Sequence, residues 1–468
     1  MDQALVQIRP AQALPASAQR GSAFKNSSAL EPAGAQGAPA RQPAAGEDAS
    51  RKTFYLETFG CQMNVHDSEK VSGVLLAKGY RSVDNHEDAD LVLYNTCSIR
   101  EKAAQKVFSR LGAFKKGHRE RGKIIGVLGC VAQQEGERIF ERAPQVRLVC
   151  GSASYSRISG LIDRLEAGET RVTGLSLESD HCFETEMTRR DHPFRAYITI
   201  IEGCDKACAY CVVPMTRGPE RSRPSANILA EARKLVVSGY TEIQLLGQTV
   251  NSYRDPSPAR LNFTGLLVRV AEIPGLRRLR FTTSHPSDFS PQIVRAIESY
   301  PALCNHIHLP VQCGSNRVLA RMRRTYTREE YLEKIDCILG SKREISVSTD
   351  IIVGFCGESE EDFEQTLSLL DRVGYDQVFS FKYSARPKTA AGSMQDSVSE
   401  EEKGRRLLIL QEKQRQIQLR RNHRRIGQEF EVLAEGFHPK LNQAAGRTTS
   451  NQVINFPGEA AWTGRYFN

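Results

Sequence analysis

Between residues 52 and 130 one pattern of apolar and polar positions recurs. The runs 52–58, 89–94 and 123–128 are short, apolar and rich in β-branched or aromatic residues, and they predict strands. Polar stretches with helical spacing separate them, one from Asp67 to Gly79 and one from Arg100 to Leu111. Strands alternating with helices predict a parallel sheet. The rhythm resumes after residue 190, with strands predicted at 196–201, 242–246, 279–283, 306–310, 346–353 and 377–383. Six such units are too few to close an eight-stranded barrel. The expectation is an α/β chain with a partial (β/α)6 barrel whose lateral opening admits a macromolecular substrate. Residues 400–426 read as a charged helix, and from Glu429 the pattern turns to short strands of a small β-barrel. The expected units are 51–185, 190–425 and 426–468.

Residues 1–50 break this pattern. They are rich in Ala, Pro, Ser, Gln and Gly, bury too little apolar area to offset chain entropy, and predict a disordered extension. Arg9, Arg20 and Lys25 against Asp2 give it a faint likeness to a transit peptide, but an unstructured extension of a cytoplasmic protein is the simpler reading. The 468 residues hold 40% hydrophobic and 25% charged residues, enough for several cores in a soluble chain. No apolar stretch reaches the ~18 residues of a membrane span. A net charge of +9 permits an RNA partner without requiring one. Twelve cysteines in a long chain, several of them just after strands, fit metal sites in a reducing compartment better than a disulfide framework.

Six of these cysteines are placed for chemistry. Cys204, Cys208 and Cys211 form a C-x3-C-x2-C loop directly after the strand 196–201. Three thiolates so close reach one [4Fe–4S] cluster and leave its fourth iron open to a ligand. Zinc is the competing metal, but its sites more often show paired C-x2-C or histidines. Tyr210, beside the last cysteine, is placed to pack against a ligand ring. Cys61, Cys97 and Cys130 each follow one of the first three predicted strands. In a parallel sheet those ends converge, so a second cluster is expected. Cys150, Cys182, Cys304, Cys313, Cys337 and Cys356 are expected to be non-ligands. At other strand ends, Gln248, Asn251, Ser284, Gln312, Asp350 and Arg386 are candidate contacts for cofactor and substrate. His285, His306 and His308 lack metal-ligand spacing and read as packing or hydrogen-bonding groups.

The cysteine loop resembles that of the radical S-adenosylmethionine (SAM) enzymes. The runs 58–64, 95–103, 129–133 and 203–223 together resemble the methylthiotransferases of that superfamily, from about residue 52 to the end. Gly60-Cys61-Gln62-Met63-Asn64 matches the branch acting on N6-isopentenyladenosine in tRNA. It differs from the branches acting on threonylcarbamoyl-adenosine or on a ribosomal protein. Three positions depart from the family pattern: Cys313 for a serine, Cys356 for a proline and Lys388 for a glycine. The resemblance implies two [4Fe–4S] clusters and SAM. The cluster at Cys204, Cys208 and Cys211 would chelate SAM and yield a 5′-deoxyadenosyl radical. The one at Cys61, Cys97 and Cys130 would carry the sulfur, and a second SAM would methylate it at position 2 of adenosine 37. Gln248, Asn251, Ser284, Gln312 and Asp350 would then contact SAM, and Arg386 the substrate. Implied partners are the tRNA anticodon loop and an electron donor such as flavodoxin or ferredoxin, with the enzyme a monomer. The final strands resemble the start of a TRAM domain, shortened here. Arg405, Arg406, Arg415, Arg420, Arg421, Arg424 and Arg425 are expected either to face solvent or to meet RNA phosphates. A reading of another class is a non-catalytic iron–sulfur RNA-binding protein.

Overall fold

The computed structural model describes residues 51–98, 101–112, 114, 122–177 and 188–468. The expected disordered extension and Cys182 lie outside the described residues. The chain opens with six parallel strands: β1 (Thr53–Phe59), β2 (Arg81–Ser82), β3 (Leu91–Thr96), β4 (Ile124–Gly129), β5 (Leu148–Cys150) and β6 (Val172–Gly174). They lie in the order β2-β1-β3-β4-β5-β6. Every residue of β3 and β4 is buried, as a parallel sheet covered on both faces requires. On one face Phe54, Leu91, Leu93 and Leu148 pack against Val71 and Leu75 of helix Gln62–Ala77. On the other, Val92, Tyr94, Ile125 and Val127 meet Val107 and Leu111 of helix Glu101–Gly112. The register sets Phe59 opposite Thr96 and Thr96 opposite Gly129. The segments bearing Cys61, Cys97 and Cys130 therefore leave three neighbouring strands at one level. Strand order reverses between β1 and β3, the place where open parallel sheets bind ligands.

The central unit holds β7 (Arg195–Thr199), β8 (Ile201–Glu202), β9 (Arg221–Ser222), β10 (Glu242–Leu246), β11 (Arg278–Phe281), β12 (His306–His308), β13 (Ser346–Val353) and β14 (Gln377–Lys382). Parallel β7, β10 and β11 form one sheet, and parallel β12, β13 and β14 another. A bridge between Leu279 and Leu303 joins them. These are the six predicted barrel strands. Among the described residues β7 and β14 do not pair, so the barrel is open on that side. The short β8 and β9 pair antiparallel, Ile201 with Ser222 and Glu202 with Arg221. They close the base of the loop that carries Cys204, Cys208 and Cys211. Among the described residues no helix is long and apolar enough to cross a membrane.

An antiparallel half-barrel follows: β15 (Val432–His438), β16 (Gln443–Thr448), β17 (Val453–Pro457) and β18 (Tyr466–Phe467), in the order β17-β16-β15-β18. Val432, Ala434, Ala444, Phe456 and Phe467 form its small core. It docks on the end of the barrel where the strands begin. Arg278 donates to the Arg447 carbonyl at 2.6 Å and to the Glu431 carbonyl at 2.9 Å, and Arg280 donates to the Thr448 carbonyl at 2.7 Å. Arg195 donates to Glu435 at 2.9 Å.

That last contact gives a pH dependence. Burial alone would raise the Glu435 carboxyl, but Arg447, Arg195 and Arg280 hold it down at about 2 against an ordinary value of 4.5. A depressed carboxylate stabilises above its unfolded value and loses that contribution as pH falls through its folded one. Arg447 belongs to the half-barrel itself, so docking supplies only the share from Arg195 and Arg280, and that share should be lost as pH falls from 4.5 towards about 2. Trp462, the single tryptophan, lies tilted against Phe467 with ring centroids 4.8 Å apart and reports the transition. In Glu435→Gln, tryptophan fluorescence should lose this acid step. An unchanged step would show that Glu435 does not set it.

Candidate iron–sulfur and SAM site

Gly60 and Gly203 shape the two cysteine loops. Gly60 has φ +128°, and a Cβ there would stand 2.4 Å from the Cys97 Cβ. Gly203 has φ +77°, and a Cβ there would stand 1.9 Å from the Pro219 carbonyl oxygen. Only glycine permits either approach. One cavity of about 2630 Å³ is lined by Cys61 and Cys97 on one side and by Cys204, Cys208 and Cys211 on another.

In the Cys204 loop every sulfur has a donor. The Lys206 amide donates to the Cys204 sulfur at 3.4 Å, the Val213 amide to Cys211 at 3.5 Å, and the Arg324 Nη1 to Cys208 at 3.3 Å. Burial pushes the Cys211 thiol up to about 12 and raises Cys204 as well. These thiols stay protonated at neutral pH unless a metal displaces the proton, and the donors favour the thiolate that a metal requires. Among the described residues no three His, Cys, Asp or Glu side chains close on a point that would hold a single metal ion. A four-iron cube takes each thiolate on a different iron, so its ligands stand apart around the cube rather than on one point. The donor set fits such a cluster.

The other trio is bound differently. A hydrogen bond from Cys97 pulls the Cys61 thiol down to about 6; burial opposes it and the Arg217 charge assists. Cys130 is raised by burial, with Arg217 acting against that rise. Asn64 accepts from the Cys61 sulfur at 3.2 Å and donates to Asn95 at 3.2 Å, and Asn95 donates to Ser68 at 2.9 Å. Arg217 also pairs with Asp67 at 2.5 Å, both side chains nearly fully buried.

Uncharacterized protein family UPF0004 matches residues 53–151, and the Radical SAM superfamily matches residues 198–370. The tRNA-2-methylthio-N(6)-dimethylallyladenosine synthase of Solibacter usitatus is 65% identical over 407 residues, covering 87% of this chain and 91% of its own. That of Koribacter versatilis is 57% identical, covering 86% and 91%. The chain belongs to this synthase family. Membership of that radical SAM family gives its cofactors as [4Fe–4S] clusters and SAM. Among solved structures, the radical SAM methyltransferase TsrM of Kitasatospora setae, with cobalamin and a [4Fe–4S] cluster bound, aligns with a TM-score of 0.54 at 15% identity. It covers 73% of this chain and 74% of that one, and the likeness is one of fold.

Against this synthase framework the candidate contacts separate. Tyr210, Gln248, Ser284, Gln312, Asp350 and Arg386 all line the cavity. Gln248 accepts from the Gly203 amide at 2.7 Å and so fixes the cysteine loop. Among the described residues the buried Ser284 hydroxyl has no hydrogen-bond partner, as a group awaiting a ligand would be. Asn251 is not among the lining residues; its amide is engaged by the His285 backbone in both directions at 2.8 Å. Cys150, Cys313 and Cys356 are buried among apolar side chains, Cys304 is buried near Arg280 and Glu242, and Cys337 packs at the edge of the barrel core; none lines the cavity. His306 and His308 share the Ser348 hydroxyl at 2.8 and 2.9 Å.

The structure divides the arginines of helix Glu400–His423 and the residues just after it: Arg405, Arg415, Arg420 and Arg424 are exposed, as expected, whereas Arg406 is buried. Arg405 pairs with Glu402 and Glu360, and the buried Arg406 with Glu358. Arg415 pairs with Glu412, while Arg421 and Arg425 pair with Asp376. Only Arg420 and Arg424 of that set make no side-chain ion pair among the described residues. The sequence reading missed Arg324, Arg217 and Asp67. Arg324 lies 116 residues from the cysteine it contacts, and no spacing pattern marks such a pair.

Proposed function

We propose that Cys204, Cys208 and Cys211 hold the cluster that binds SAM, and that Cys61, Cys97 and Cys130 hold a second one. The substrate is tRNA carrying N6-isopentenyladenosine at position 37, and the product bears a methylthio group at carbon 2. One observation supports this most directly: the two cysteine loops, from different units of the chain, open into one cavity. The carbon 2 hydrogen of adenine is unactivated, so acid–base groups alone do not remove it, and a cofactor must carry the hard step. When bound, the two clusters supply an electron to SAM and the sulfur to be inserted. The protein's own groups bind and orient. Gln248 sets the loop, Tyr210 and Ser284 face the SAM side, and Arg386 lies where substrate enters beside the open edge at β14. The base reaches the cavity from a single-stranded loop, where RNA bases are exposed. An external one-electron donor such as flavodoxin or ferredoxin serves a monomeric enzyme. The units 51–185, 190–425 and 426–468 act as sulfur-bearing, radical-generating and RNA-holding parts.

Iron and sulfide analysis with EPR, after anaerobic reconstitution, tests the assignment. The unaltered chain should hold about eight irons, and the Cys204→Ala/Cys208→Ala/Cys211→Ala variant about four. About four irons in the first and none in the second would remove the second cluster and, with it, the sulfur source.

A further inference from the structure

Arg324 is a buried cation with no carboxylate partner among the described residues. Its side chain follows a tight reversal at Arg323, which adopts φ +56°. That turn leaves Arg323 exposed and sends Arg324 inward, to 9% exposure. A non-glycine residue in the left-handed region costs about 1 kcal/mol or more, so the rest of the structure must hold the turn in place. The backbone does so: the Ala209 amide, inside the cysteine loop, donates to the Met322 carbonyl at 2.9 Å.

The guanidinium is engaged on every side. Its Nε donates to the Tyr326 hydroxyl at 2.7 Å and its Nη2 to the Pro310 carbonyl at 2.9 Å. Its Nη1 reaches the Cys208 sulfur at 3.3 Å and the Tyr210 hydroxyl at 3.5 Å. None of these neutral oxygens balances its charge, and a buried charge without an opposite one is strongly disfavoured. Among the described residues no carboxylate stands within ion-pair distance. The remaining partner is the Cys208 sulfur, which would carry negative charge as a thiolate once it ligates a cluster. Three thiolates on a four-iron cluster give a net negative assembly, and one-electron reduction makes it more so.

We infer that Arg324 is the counter-ion of the SAM-binding cluster and raises its reduction potential, placing reduction within reach of the electron donor. This rests on the assignment of Cys204, Cys208 and Cys211 above. The physical basis is general: a cation donating to a cluster sulfur stabilises the more negative state, and hydrogen bonds to the sulfurs are among the levers that set cluster potentials. Tyr210 and Tyr326 hold the guanidinium in place, and the Tyr326 ring lies 5.0 Å beneath it.

The test uses the full chain with Cys61, Cys97 and Cys130 changed to alanine, so that one cluster is read. Arg324→Met, Arg324→Gln and Arg324→Lys are compared with that parent by iron content and by EPR-monitored redox titration. At a fixed potential the Met and Gln variants should show a reduced-to-oxidised ratio about tenfold lower, equivalent to about 59 mV for one electron. The Lys variant should stay within about threefold of the parent, because it keeps the charge. Retention of iron by Lys with its loss from both neutral variants would support the same role. A neutral variant with four irons and an unchanged potential overturns it, as does a Lys variant shifted as far as Met or equally unable to hold iron. A parent without four irons overturns the cluster assignment itself, and the role of Arg324 with it.

Discussion

Cys208→Ala protein will not cleave SAM, Cys97→Ala protein will, and neither will form the methylthio product. The two cysteines belong to separate units and separate loops, so each substitution should act on its own trio. Removing Cys208 takes away one of three thiolates and also the sulfur that Arg324 contacts. Loss of an outer partner alone costs about 10–100-fold, so loss of a ligand should exceed the upper figure. Cys97 stands across the cavity, fully buried, where it donates to Cys61. Its removal lets the Cys61 thiol rise and deprives the second cluster of a ligand, but it leaves Cys204, Cys208 and Cys211 in place. Chromatography of 5′-deoxyadenosine and of the digested tRNA reads both steps. Deoxyadenosine formed by the first variant, or methylthio product by the second, would refute the division of roles.

The parts of this site that sequence reveals are those that obey a local rule. Strand followed by cysteine, repeated three times, puts Cys61, Cys97 and Cys130 together at the carboxyl end of one parallel sheet. The spacing of Cys204, Cys208 and Cys211 needed no fold at all. The six barrel strands were legible because each is a short apolar run ended by a polar loop. Strands β2, β5 and β6 were not, because two or three residues carry no period. Helix Gln62–Ala77 was expected only from Asp67. Its first turns hold Asn64, His66, Asp67, Ser68, Glu69 and Lys70, all buried. A polar run usually signals solvent, but here it is wedged between two units and satisfied by charges from afar. Arg406 failed for the same reason in reverse: its partner Glu358 lies 48 residues away, and the sequence shows only its neighbours. Interactions between distant polar residues are where a single sequence is least informative.

Asp67→Ala should destabilise the protein by about 3–5 kcal/mol, because it strands a buried arginine. Asp67 sits on the helix that begins after Cys61, and Arg217 ends the short helix Val213–Arg217 that follows Cys211. Their bond joins the two cysteine-bearing units, with side-chain exposures of 1% and 4%. Without Asp67, the guanidinium keeps weaker company in Cys130, Glu202, Tyr155 and the thiol of Cys61. A cluster on those thiols would return some negative charge, so the loss should be larger in cluster-free protein than in reconstituted protein. Arg217→Met alone leaves Asp67 buried and unpaired and should cost a similar amount. The double variant Asp67→Ala/Arg217→Met leaves no stranded charge and should be more stable than the two losses summed. Anaerobic denaturant unfolding of the four proteins, with and without reconstitution, measures each term. Strict additivity would mean that the two residues do not act as a pair. Equal losses with and without clusters would mean that Arg217 does not sense the Cys61, Cys97 and Cys130 site.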